Sequence, residues 1–182
     1  MGILAFFGLK KYDTKVYELY GHIVAQARNE AFYTRFGVAD TVEGRFDLIT
    51  LHMFIVLRRL KDLEKEGGKL SQDLFDVMFA DMDKNMREMG LGDLRVSKKI
   101  KELATAFYGR IKAYDDGIAG LEGVTLTNAL KRNLFLDTKP SEANVQSIAD
   151  YLIQEIAASS TWSFANIHTS NISFGTIPEL SL

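Results

Sequence analysis

The chain has no cysteine, which removes disulfides, thiol nucleophiles and cysteine metal sites at once and fits a reducing compartment. It has two prolines, Pro140 and Pro178, so almost its whole length is free to be helical. Histidine occurs three times, at His22, His52 and His168. Charge of either sign is nearly balanced, with a net of −2, so no basic surplus recruits a phosphate backbone and no direct nucleic-acid partner is expected. No Walker loop, GxGxxG, nucleophile elbow or His-Glu-x-x-His occurs. No apolar run approaches the roughly 20 residues that span a bilayer. A length of 182 residues with 47% hydrophobic content suits one soluble globular domain with a core of its own.

What is present is a sequence of amphipathic helices around one apolar stretch, Asp40 to Leu63. Val42, Phe46, Ile49, Met53, Leu57 and Leu60 recur at three- and four-residue spacing, and Leu48, Leu51, Phe54 and Ile55 widen that face almost all round. A helix apolar on most sides is surrounded by others, so this one is central. Asp40-Thr41 with Glu43 reads as its capping box, and Gly67-Gly68 as its end. Before it, Asp13 or Thr14 opens a helix to about Arg28, and Asn29 opens a short aromatic one ended by Gly37. After it, helices start at Ser71, Ser97, Thr125 and Ser141, the last running to about Ala158. The chain divides into an apolar N-terminal segment (1–12), an all-α domain (13–158) and a Ser/Thr/Asn-rich tail (159–182) without helical period, pinned by Trp162 and Phe164. A Y-G-x-I-x-A echo, at Tyr20 and at Tyr108, places Gly21 and Gly109 mid-helix. There glycine costs about 1 kcal/mol against alanine, and close approach of a neighbouring helix would compensate.

Three constellations could carry function. His22 and His52, with Asp47 or Glu18, could hold a metal or haem, or be core histidines. Asp76 and Asp83 share a helical face as an acid–base pair would, but Asp83, Lys84, Arg87 and Glu88 also have the spacing of a solvated salt-bridge ladder. Met78, Met82, Met86 and Met89 form one stripe holding four of the six methionines. Methionine suits surfaces that accept varied apolar helices, and it also fills cores. The N-terminal MGILAFFGL lacks the charged n-region and cleavage site of a secretory signal. It either packs on the core or meets a membrane surface, with Lys10, Lys11 and Lys15 at the headgroups.

Ordered blocks from about Tyr12 to about Ala119 carry a family resemblance. They include Tyr20-Gly21 with Ala25 and Arg28, Phe32-Tyr33 with Phe36-Gly37-Val38, and Asp40-Thr41 leading to Gly44-Arg45-Phe46-Asp47. His52 with Leu57-Arg58-Arg59-Leu60 follows, then Leu74-Phe75-Asp76 with Phe79 to Asp83, Arg87 to Asp93, and Phe107-Tyr108-Gly109-Arg110 with Tyr114. In these the sequence resembles the ubiquinol–cytochrome c chaperone family, in its alphaproteobacterial form. The resemblance implies an all-α, non-enzymatic assembly factor for respiratory complex III, without a cofactor. It also implies a cytoplasmic protein that binds newly made cytochrome b peripherally at the inner membrane. The family's mitochondrial members work near the ribosome with a small partner subunit. On this reading the partner-binding or register-fixing candidates are Arg45, Asp47, Asp81, Asp83, Arg87, Arg110 and the Met78–Met89 stripe. Arg45 would pair with Asp81, Asp83 or Asp47, and Arg110 with Glu88.

Overall fold

The computed structural model describes residues 12–121, 123–136 and 138–177, with residues 64 and 65 as backbone only. Among them it is all-α, a single helical domain without strands. The helices are α1 (Thr14–Ala27), α2 (Ala31–Thr34), α3 (Val42–Asp62), α4 (Glu64–Glu88), α5 (Asp93–Ile118), α6 (Leu126–Asn133), α7 (Glu142–Ser159) and α8 (Phe164–His168).

α3 is the central helix that its composition requires. Every residue from Phe46 to Val56 is buried, and the helix packs against α1, α4, α5 and α7. Each large apolar side chain in that run contributes about 1.5–3 kcal/mol by leaving water. Thr41 caps α3 by accepting from the Gly44 amide at 3.1 Å. Glu43 stands one position too early to complete a capping box. Gly44 is needed where the chain enters the helix, since a Cβ there would lie 2.0 Å from the Ala39 carbonyl oxygen.

The structure corrects several boundaries. Gly67 and Gly68 do not separate two helices but lie inside α4, which starts at Glu64. A Cβ on Gly67 would lie 1.9 Å from the Leu60 carbonyl oxygen, so this glycine permits the sharp α3–α4 reversal. α5 starts at Asp93, one turn before Ser97. The mid-helix glycines have no backbone packed on them: nothing lies within 4 Å of a Cβ built on Gly21 or Gly109.

The tail is also more ordered than its composition suggests. Ser163 and Asn166 form a reciprocal capping box that starts α8, and Trp162, Ile167 and Ile172 are buried. Beyond α8 the chain returns over α1 and α7. The Gln26 amide donates to the Gly175 carbonyl at 3.3 Å and the Gly175 N–H donates to Glu155 at 2.8 Å. Residues 1–11, with the packing or membrane contact expected for them, lie outside the described residues, as do 178–182.

Candidate functional site

The geometry of the methionine stripe follows from the length of α4. Its 25 residues extend about 37 Å at 1.5 Å per residue, so one face passes from the interior to the surface. Met78 is wholly buried, Met82 half-buried and Met86 nearly buried, whereas Met89 is 54% exposed. The helix ends at Gly90, whose φ of +85° allows the left-handed cap. Leu91 N–H then bonds back to Met86 O at 3.1 Å and Gly90 N–H to Arg87 O at 2.9 Å. That cap brings Leu91 against Met86, the apolar contact that usually accompanies it.

Met86, Met89 and Leu91 line a groove of about 450 Å³, and a smaller cavity of about 40 Å³ that shares Met86 and Met89 with it is floored by Phe46, Met82 and Leu103. Val42, 52% exposed at the start of α3, forms part of the wall. Leu94, 88% exposed, stands in the first turn of α5, next in sequence to Arg95 of the groove. The rim is charged: Arg95 and Lys98 from α5, and Lys99 bonded to Glu43 at 3.3 Å. The arrangement is an apolar trough with ionic edges. It can take an apolar helical segment and exclude water from it.

Ionic braces hold the trough in shape. Arg87 grips Asp83 at 2.5 Å and also Asp93, so one guanidinium ties the end of α4 to the start of α5. Bonds to these carboxylates, Asp83 first, hold its pKa above the ordinary arginine range. Below the floor, Arg110 of α5 meets Asp47 of α3 at 2.8 Å and lies over the Phe46 ring, 5.5 Å from its centroid. Asp81 accepts from the Tyr20 hydroxyl of α1 at 3.0 Å. Burial, and then the Asp81 charge, raise the Tyr20 pKa.

The structure therefore unites Met82, Met86 and Met89 in one site and leaves Met78 in the core. Two expected pairings differ. Arg45 does not reach Asp81, Asp83 or Asp47 but pairs with Asp40 at the surface, at 2.8 Å, because the first turn of α3 points it outward. Arg110 takes Asp47 rather than Glu88, which pairs with Lys84. The Asp76–Asp83 acid pair is not assembled either: Asp76 accepts from Tyr12 and Gln72, and Asp83 is held by Arg87. Leu94, Arg95, Lys98 and Lys99 were absent from the sequence candidates. Once α5 begins at Asp93, the inward stripe runs through Val96, Ile100 and Phe107, and Leu94 falls off it.

The histidine pair does not form a metal centre. The Phe174 ring packs against both, 5.9 Å from His22 and 5.4 Å from His52 between centroids. Both ring nitrogens of His52 are engaged, Nδ1 with Leu48 O at 2.8 Å and Nε2 with the Tyr151 hydroxyl at 3.0 Å. A carbonyl oxygen can only accept, so Nδ1 carries the proton and Nε2 accepts from Tyr151. No ring lone pair remains for a metal. Among the described residues no group of three or more His, Asp or Glu could hold one.

The sequence profile of the family described as Ubiquinol-cytochrome C chaperone matches residues 34–174, which include every groove residue named above. The ubiquinol-cytochrome-c reductase complex assembly factor 1 of Xenopus laevis is 22% identical over 138 residues, covering 76% of this chain and 68% of that protein. The Homo sapiens protein of that name is 25% identical over 138 residues, 76% of this chain and 46% of its own length. The mitochondrial protein CBP3 of Saccharomyces cerevisiae is 29% identical over 147 residues, 79% of this chain and 44% of its own. The chain thus spans less than half the length of these last two. The crystal structure of the Cbp3 homolog from Brucella abortus superposes with a TM-score of 0.79 at 32% identity, over 92% of both chains.

Proposed function

The chain belongs to the ubiquinol-cytochrome C chaperone family, and from that premise we propose that it is a complex III assembly chaperone whose methionine groove shelters newly made cytochrome b. The observation that carries this is the apolar opening itself. Val42 and Met89 are each more than half exposed, and both line one trough. Large apolar side chains grouped on a surface mark places where another apolar surface belongs. A membrane protein before insertion has many such segments. The unbranched thioethers of Met82, Met86 and Met89 adapt to unlike side chains, which suits a holder that must accept its client and release it later.

The work done is binding. A client helix laid across α4 and α5 loses water from its apolar face, while Arg95, Lys98 and the Lys99–Glu43 pair remain at the edges. No helix among the described residues is long and apolar enough to cross a membrane, so the holder would meet its client from the membrane surface.

The test is to delete the gene in its own host and record reduced-minus-oxidised spectra of the membranes together with complex III activity. Cytochrome b and complex III activity are expected to fall, with other cytochromes intact. The wild-type gene should restore them, and a gene carrying Met89→Glu and Leu94→Glu should not, although its product accumulates. Normal cytochrome b in the deletion strain, or full restoration by the double variant, would overturn the reading.

A further inference from the structure

Residues 171–177 cross α1 and α7 as an extended strap, not as a helix. Ile172 is buried and Phe174 half-buried, while Ser173 and Gly175 are exposed, the two-residue alternation of an extended chain. Among the described residues, 172–177 make no backbone–backbone hydrogen bond. Side chains hold the strap instead, in the manner of a bound peptide. The Phe174 ring sits against His22, His52 and Trp162, at 5.9, 5.4 and 5.7 Å between centroids. Both backbone groups of the next residue are then read: the Gly175 N–H donates to Glu155 Oε1 at 2.8 Å, and its carbonyl accepts from Gln26 at 3.3 Å. A Cβ at that position would stand 2.5 Å from the same carboxylate oxygen, so the cleft selects glycine after the aromatic residue. The strap leaves α8 through Ser170, whose φ of +55° is a left-handed conformation unfavourable for a residue with a side chain.

We propose that the cleft under the strap is a docking site for an extended segment of another protein, of the pattern apolar–x–aromatic–glycine followed by a hydrogen-bond donor, and that the strap is its occupant in cis. Two observations show that the strap fills the cleft incompletely. Glu155 is only 4% exposed, and its second oxygen, Oε2, is buried without a hydrogen-bond partner among the described residues. Buried carboxylate oxygens are seldom left so, and a segment with a donor beside its glycine would satisfy both. Beside the strap a cavity of about 330 Å³ lies open, lined by Gln26, Asn29 and Arg35 with Gly175 and Thr176, which gives such a segment room. A second copy of this chain would bring the same strap atoms and leave Oε2 as it is, so the geometry favours a foreign segment over an exchange of straps. The site is separate from the methionine groove, and the proposal stands whether or not the client there is cytochrome b.

The test is fluorescence polarisation of a labelled peptide of residues 171–177 with the full chain. A tethered segment competes at an effective concentration in the millimolar range, so the wild-type chain should bind the peptide weakly, and Gly175→Ala, whose own strap loses its anchor, about tenfold or more tightly than wild type. On the Gly175→Ala chain the same peptide with Phe174→Ala should bind about tenfold more weakly, having lost its ring contacts. The peptide with Thr176→Arg should bind about threefold more tightly, through a charge-assisted bond to Glu155. Where Gly175→Ala does not fold, the wild-type sequence with a protease site between Ser170 and Asn171, cut after folding, takes its place. A folded Gly175→Ala that binds no more peptide than wild type would overturn the proposal and make the strap a fixed part of the core. So would equal affinity for the arginine peptide, which removes the second donor. Sedimentation of Gly175→Ala as a dimer would overturn it in favour of a second copy.

Discussion

His52 and Tyr151, ninety-nine positions apart, share a hydrogen bond of 3.0 Å inside the core. It is one link of a relay: Gln26 donates to Tyr151 at 3.0 Å, Tyr151 to His52, and His52 to the Leu48 carbonyl. The relay ties α1, α3 and α7 together through groups that would each be costly to bury alone.

The relay sets a pH dependence. Burial is the dominant cause that lowers the His52 pKa to about 4 from 6.5. The folded state therefore binds fewer protons than the unfolded state between those values. The associated stability is fully present above about pH 6.5 and is lost as pH falls towards 4, by about 3 kcal/mol in all. Urea unfolding at pH 7.5, 5 and 4 should show this limb. His52→Phe should start about 1–3 kcal/mol less stable at pH 7.5, because Tyr151 loses its acceptor, and its curve should fall less steeply. An equally steep fall in the variant would assign the dependence to carboxylates elsewhere.

The tail supplies the second prediction. The Gly175 amide donates to Glu155 at 2.8 Å, and a Cβ on Gly175 would stand 2.5 Å from the same carboxylate oxygen. Gly175→Ala should therefore push the Glu155 carboxylate off the Gly175 amide, and the strap that carries Phe174 past His22, His52 and Trp162 loses that anchor on α7. We expect a loss of about 1–3 kcal/mol, in the range of a disrupted buried hydrogen bond. Trp162 is the only tryptophan and contacts Phe174 edge to face at 5.7 Å, so a red shift of its emission should accompany the loss. Destabilisation with unchanged emission would mean that the strap stays in place.

The strap also shows where sequence reading stops. α3 was legible because eleven consecutive buried positions need an apolar run, and such a run has few alternatives to a central helix. The caps at Asp13, Thr41, Thr125 and Ser141 were legible because a single oxygen two or three residues before a free amide is a local event. Gly67 was misread because glycine as a stop and glycine as a clearance between two backbones look the same along the chain. The same limit applies to Arg110. Its partner Asp47 lies sixty-three positions earlier and on another helix, so nothing near Arg110 distinguishes Asp47 from Glu88. The methionine stripe was legible as a stripe, but its gradient from core to surface depends on where α5 ends its cover, which the stripe does not contain.

The Asp47–Arg110 pair is mostly buried, and removing one partner of such a pair strands the other's charge. Arg110→Ala should cost about 3 kcal/mol, the lower end for a broken buried pair. Arg45→Ala should change stability by less than about 0.5 kcal/mol, since its pair with Asp40 is exposed on both sides. Denaturant midpoints of the two variants at one pH decide this, and similar values would mean that solvent reaches Asp47.

The methionine stripe yields the sharpest contrast because one residue type occupies two environments on one helix. Met78 is wholly buried, so Met78→Ala should cost about 2–5 kcal/mol through lost transfer energy and the cavity left behind. Its damage to complex III assembly should follow protein level alone and recover when expression is raised. Met89 is 54% exposed. Met89→Glu should move stability by no more than about 0.5 kcal/mol, as surface changes generally do, yet place a carboxylate at the mouth of the groove. A photo-crosslinker at Leu94 should then capture cytochrome b in the wild-type background and lose most of that capture with Met89→Glu, while Met78→Ala at matched protein level keeps it. Were capture to follow stability in both variants, the stripe would be core from end to end and the client would dock elsewhere.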